Sequence, residues 1–186
     1  LDSTLQTYLP EVRNTNKAFL TLRELMAHHA GLQAWIPFYQ QTLTPEKTPS
    51  PDIYKTQSAP GFDVPVAPNL YMNPAWRDSI WQQIFSSNLR NAKDYKYSDL
   101  GLYLTARTVQ QIGKHPVNEF AEEYYYQRLG MSRTMFNPWQ RGLAMHCAPT
   151  EEDKYFRQCR IQGYVHDMGA AMLGGVSGHA GLFSNA

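Results

Sequence analysis

Lys96-Tyr97-Ser98-Asp99-Leu100-Gly101 joins a polar stretch, residues 86–96, to an apolar run at helical spacing that continues to Ile112. A tyrosine two residues ahead of an Asn or Asp, at the mouth of a helix, suits a catalytic loop, because the first turn anchors the loop and favours negative charge. The spacing predicts a helix over residues 100–112, closed by Gly113. By itself the tripeptide Tyr97-Ser98-Asp99 fits a plain helix start better, with Ser98 or Asp99 as the cap, and only its agreement with the flanking stretches favours the catalytic reading.

The flanks extend this helical reading. Thr21 followed three residues later by Glu24 forms a capping box, and Leu22, Leu25 and Met26 recur at helical spacing until Gly31, which predicts a helix over residues 22–29. Residues 33–70 carry Pro37, Pro45, Pro49, Pro51, Pro60, Pro65 and Pro68, and are read as an irregular excursion, since each proline fixes φ and removes a donor. Asn73-Pro74 is a cap pair for a helix whose Trp76, Ile80, Trp81, Ile84 and Phe85 share one face. Pro116 opens a further helix with Phe120, Tyr124 and Leu129 on its buried side, and Thr150-Glu151-Glu152-Asp153 is another cap-like start. Residues 160–165 are the best of few strand signals, and a short helix followed by a glycine-rich turn fills residues 167–186. The pattern is mainly α.

A chain of 186 residues is long enough to bury a real core. With 17 basic and 16 acidic residues and a net charge of +1, it offers no basic patch for nucleic acid. No apolar run approaches the roughly 20 residues of a membrane span. Charged residues make up 18%, below the roughly 25% usual for soluble domains, while aromatics reach 13%. That balance predicts exposed apolar surface and self-association. Cys147 and Cys159 fit either a disulfide or two free thiols. No spacing among His28, His29, His166 and Asp167 supports a metal centre, since adjacent histidines on a helix point about 100° apart. No motif asks for a cofactor.

Taken with Leu22-Arg-Glu-Leu-Met-Ala-His-His-Ala-Gly-Leu32 before it and Gly174-Gly-Val-Ser-Gly-His-Ala-Gly-Leu-Phe-Ser184 after it, the tyrosine motif resembles the serine β-lactamase and penicillin-binding-protein superfamily, in its class C-like, esterase-like branch. The resemblance runs over residues 1–186. It implies an α/β parent fold of which this chain is the helical part, a single partial domain truncated at both ends. It also implies an exported, periplasmic bacterial enzyme acting on a small ester, amide or cell-wall-derived substrate. In some bacterial proteins a similar domain follows a family 3 glycoside hydrolase domain, where any N-acetylglucosaminidase activity would reside elsewhere.

The family works with a Ser-x-x-Lys nucleophile motif, a Tyr-x-Asn motif and a Lys/His-x-Gly strand. By resemblance Tyr97 is the general base or acid and Asp99 the third position of its motif. No serine in the chain is followed three positions on by lysine, so the nucleophile is expected outside it. A free phenol ionises near pH 10, and making it half ionised at neutral pH takes roughly 4 kcal/mol of differential stabilisation, which the motif lysine supplies. Asp99 replaces the familiar asparagine. A carboxylate only accepts hydrogen bonds where an amide also donates, and the change points toward ester-cleaving relatives. Gly178-His179-Ala180-Gly181 looks like the third motif and makes His179 a candidate substrate-binding residue, although its glycines also serve close backbone approach. A non-catalytic helical binding or scaffolding module remains the competing reading.

Overall fold

The structure is a computed structural model that describes residues 1–185; Ala186 lies outside the described residues. The capping box at Thr21 forms as its sequence demands. Glu24 N donates to Thr21 Oγ1 at 3.1 Å, Thr21 N donates to Glu24 Oε2 at 2.8 Å, and helix α2 follows at Leu22–Met26. Ahead of it lie the one-turn helix α1, Leu5–Tyr8, and a 3-10 turn at Pro10–Val12.

Asn73 caps α3, Ala75–Ser86, by accepting from the Ala75 N–H at 3.0 Å across Pro74. Ile80 and Ile84 are fully buried, and Trp76, Trp81 and Phe85 pack half-buried beside them. The longest helix, α4, spans Asp99–Gly113 and buries Leu100, Gly101, Tyr103, Leu104, Ala106 and Thr108. Gly101 allows it to press against α2: a Cβ there would stand 3.2 Å from the Leu25 carbonyl oxygen. Lys114, not Gly113, takes the left-handed cap conformation. Gly113 stays helical, and the Phe120 ring passes 3.1 Å from where its Cβ would stand.

The expectation of a mainly α chain holds only in part, for helix exceeds strand, 35% to 15%, yet seven short strands among the described residues form three small antiparallel sheets. The proline-rich excursion contains the first sheet: β1, Tyr54–Lys55; β2, Val64–Ala67; and β3, Leu70–Met72, in the order β1-β3-β2. Pro65 is tolerated because β2 is an edge strand, and Asn69 turns the β2–β3 hairpin at φ 56°.

Two further pairs hold the C-terminal third, β4 (Met135–Phe136) with β7 (Leu182–Phe183), and β5 (Pro149–Asp153) with β6 (Cys159–Gln162). Thr150–Asp153 is therefore a strand and not the expected cap, because pairing with β6 and an ion pair to a buried arginine outweigh a local signal. β6 overlaps the strand expected over 160–165. After α5, Val117–Ala121, the chain loosens into a π-type turn, Glu122–Tyr126. That turn shifts the helical register, so Tyr124 and Leu129, expected to be buried, are exposed.

One core joins these pieces, with Leu5, Leu9, Leu25, Met72, Ile80, Leu104, Phe156 and Ile161 among its fully enclosed side chains. Helix α6, Met168–Met172, packs on β2 and on a 3-10 turn at Phe38–Thr42. Cys147 and Cys159 are free thiols, both half-buried. No helix among the described residues is long and apolar enough to cross a membrane.

Candidate active site around Tyr97 and Asp99

The loop ahead of α4 is laid onto residues 28–34 by a ladder of polar contacts. Lys96 N donates to His28 O at 3.0 Å, Ser98 Oγ donates to Gln33 O at 2.6 Å, and Asp99 N donates to Ala34 O at 2.9 Å. Ser98 N donates to His28 Nδ1 at 3.2 Å, which leaves the neutral His28 ring with its proton on Nε2. The same ring lies 4.4 Å from that of Tyr97. Tyr97 is thus held from below while 50% of it stays exposed. Ser98, buried, uses its hydroxyl on the 28–34 segment and does not cap α4. Lys93, next to this loop, is engaged elsewhere, paired with Glu24 at 2.8 Å.

Asp99 opens α4 and faces a pocket of about 150 Å³ whose walls include Tyr39, Tyr103, His166, Asp167 and His179. Two of the three sequence-derived site residues, Asp99 and His179, therefore share one cavity, and Tyr97 stands outside its lining on the exposed loop. Burial pushes the Asp99 carboxyl up; His179 and His28 oppose that rise and the Asp167 charge adds to it. His179 has a nearly buried side chain, stacks on Tyr103 at 4.2 Å and uses both ring nitrogens. Nε2 meets Asp167 Oδ1 at 2.8 Å, and Nδ1 meets Ser177 Oγ at 2.8 Å. Since Asp167 can only accept, Nε2 carries the proton and Ser177 donates to Nδ1. His179 accordingly forms the pocket wall through its ring and has no free nitrogen to offer a substrate.

Asp167 also caps α6, accepting from Ala170 N at 2.6 Å. Burial would raise its carboxyl, but the His179 hydrogen bond and the Ala170 and Gly169 N–H groups hold it below the usual carboxylate range.

The Beta-lactamase family profile matches residues 1–186, the whole chain. The chain belongs to the Beta-lactamase family. It is 37% identical over 101 residues to an Escherichia coli K12 protein named "Putative D-alanyl-D-alanine carboxypeptidase", a match covering 48% of this chain and 23% of that protein. It is 36% identical over 102 residues to an N-acetylmuramyl-L-alanine amidase of Bacillus subtilis 168, with the same coverage of 48% and 23%. The matched stretch is thus less than a quarter of the length of these curated relatives. Among solved structures, the octameric penicillin-binding protein homologue from Pyrococcus abyssi is similar with a TM-score of 0.51 at 13% identity, over 99% of this chain and 36% of that one. That likeness is one of fold.

In this Beta-lactamase-family chain, three residues around the site escaped sequence reasoning. Asp167 and His166 drew notice only as metal-like residues, and Arg157 drew none. Arg157 is fully buried and ties the loop before α6 together: Nε donates to Asp153 Oδ2 at 2.7 Å, Nη1 to Val165 O at 2.6 Å, and Nη2 to His166 O at 2.7 Å and Glu151 Oε1 at 2.9 Å. It fixes the backbone that delivers Asp167. The one legible signal was the N-cap position of Asp167 before a run of small helix formers. On the far side of His166-Asp167 lies a larger groove of about 770 Å³, bounded by Arg133, Cys147, Leu143 and Phe183.

Proposed function

We propose that this chain serves in a β-lactamase-related serine hydrolase that carries out acyl transfer on an ester or amide, with a cell-wall-derived peptide as the substrate class. The presentation of Tyr97 carries the reading: a half-exposed phenol at the start of the longest helix, braced by His28 and by Ser98. In such a reaction a serine hydroxyl adds to the substrate carbonyl while Tyr97 takes its proton, and the same phenol returns a proton to the leaving group. Asp99 sets the electrostatics of the adjoining pocket, and the His179–Asp167 pair keeps its wall in place. The names of the carboxypeptidase and amidase relatives support a cell-wall-derived substrate and, with it, an exported location. The exposed Phe19, Ile112, Tyr125 and Leu129 support self-association.

The 186 residues contain no Ser-x-x-Lys, and this favours a second reading, a binding or scaffolding module such as the accessory domain of a family 3 glycoside hydrolase. Labelling with a serine-directed fluorophosphonate separates the two. The chain alone should remain unlabelled, and the same chain joined to a family segment bearing Ser-x-x-Lys should label at that serine and hydrolyse a short-chain ester. Absence of labelling in the joined protein, with its fold intact, would leave the binding-module reading standing.

A further inference from the structure

The Arg77 side chain makes no hydrogen bond or ion pair to any described residue, and its Nε is enclosed without a partner. Arg77 as a whole is half-buried, and its enclosed Nε has given up hydration that no protein acceptor returns. Burial disfavours the Arg77 cation and the Asp63 charge favours it, but Asp63 lies outside ion-pair distance. The Arg77 head runs flush against the backbone at Gly174, where a Cβ would stand 2.6 Å from Nη2 and φ is +87°.

Arg77 lines a pocket of about 160 Å³ together with Arg107, Gln110, Trp81, Tyr103 and Ser177. Arg107 lies over the Trp81 ring at 4.3 Å and spends its Nε on Glu11 at 2.6 Å; its two terminal nitrogens bond to no described residue. Ser177 contributes the hydroxyl that donates to His179 Nδ1. The lining is therefore rich in donors, and Glu11 pairs with Arg107 but not with Arg77.

We infer that this pocket binds a small oxyanion, a phosphate or a carboxylate, gripped by the Arg77 guanidinium with Arg107 and Ser177 as secondary donors. Planar guanidinium donors match the lone pairs of both anion types, commonly two at a time. The volume is roughly five times the ~30 Å³ share of one liquid water, which admits an inorganic anion or a carboxylate terminus and excludes a nucleotide. An anion that takes the Ser177 proton competes directly with His179 Nδ1. Occupancy on this side is thereby felt by the ring that walls the Asp99 pocket. The inference stands independently of the hydrolase reading, since it uses neither Tyr97 nor a nucleophile.

The test is a titration of the 186-residue chain with inorganic phosphate and, separately, with acetate at constant ionic strength, following the side-chain nitrogen resonances of Arg77 and His179. Saturable shifts of both signals at millimolar concentration are expected. Arg77→Met should weaken that binding at least tenfold, Arg77→Lys should weaken it less, and Ser177→Ala should abolish the shift at His179 while Arg77 still responds. A response to phosphate alone assigns a phosphate-type ligand, and a response to acetate alone assigns a carboxylate. A linear, unsaturated response to both anions overturns the proposal. So does unchanged affinity in Arg77→Met, or in Arg77→Lys should the methionine variant fail to fold.

Discussion

His179 and Asp167 meet at 2.8 Å, Nε2 to Oδ1, and the same carboxylate oxygen accepts from the first turn of α6. One atom thus caps the start of α6 and orients the ring beside Asp99. Asp167→Ala removes both contacts, and losing a cap together with a charge-assisted hydrogen bond should cost about 2–4 kcal/mol. Asp167→Asn keeps an acceptor and should cost about half as much. Urea unfolding measures both, and the His179 Nε2 resonance should move in the alanine variant as its hydrogen bond to Asp167 is lost.

The carboxyls of Asp167 and Asp153 are both held below the usual range, against burial, by His179 in one case and by Arg157 with neighbouring backbone N–H groups in the other. Folded carboxyls with lowered pKa bind fewer protons than the unfolded chain. The stability they supply is therefore complete above the unfolded value of ~3.9 and is lost as pH falls through the lowered native values. Acid titration of unfolding free energy should show a steep loss below about pH 4. Asp167→Asn should make that limb shallower.

Arg157 should be among the most sensitive positions in the chain. Its side chain is wholly enclosed, and Asp153, its partner at 2.7 Å, is enclosed with it. Arg157→Met leaves a buried carboxylate and two carbonyls, Val165 and His166, without their donor, and should cost about 3–5 kcal/mol. Adding Asp153→Leu should restore a large part of the loss, as replacing both members of a buried pair often does. If the double variant is no more stable than the single one, the backbone carbonyls and not the ion pair dominate the role of Arg157.

What the sequence made legible were interactions spanning a few residues. Thr21 with Glu24, Asn73 with Ala75, and the Ile80–Ile84 face of α3 follow from spacing alone. The strands were hidden because Pro65 and Pro68 suppress the local signal, whereas β2 survives as an edge strand whose partner is supplied by β3. Tyr124 and Leu129 failed because a π-type turn breaks the period that placed them. Asp99 and His179 were each visible as candidates. Their meeting in one pocket was not, for it depends on α6 followed by a turn through Gly174 and Gly175 at φ 87° and 84°. Arg157 gave no signal at all, since its partners lie on two separate segments, β5 and residues 165–166.

Lys17 makes a further pH-dependent prediction. It is fully buried, and its Nζ donates to the Ser87 carbonyl oxygen and to Ser87 Oγ at 2.9 Å, at the C-terminal end of α3, with no carboxylate partner among the described residues. Burial pulls its ammonium down to about 8 from 10.5. Between those two values the unfolded chain binds the extra proton, so stability should rise as pH increases from about 8 toward 10.5. Lys17→Met should abolish that rise. Chemical denaturation across this window, with the variant as reference, reads the difference directly.

The sharpest prediction concerns Tyr97 and Asp99 in a protein that unites this chain with a Ser-x-x-Lys segment. The Tyr97 hydroxyl makes no hydrogen bond to a described residue, and its ring keeps the His28 contact when the oxygen is removed. Tyr97→Phe should therefore leave stability within about 0.5 kcal/mol of the parent. If the phenol moves the proton in acyl transfer, turnover should fall roughly 100-fold to 10,000-fold. Asp99→Asn removes a half-buried charge that Asp167 opposes, while keeping a side chain acceptable in the first helical turn. It should not destabilise the fold. If Asp99 serves only the helix start, which asparagine suits almost equally well, turnover should hardly change. Loss of activity in Asp99→Asn without loss of stability would place the carboxylate in the chemistry, and full activity in Tyr97→Phe would remove Tyr97 from it.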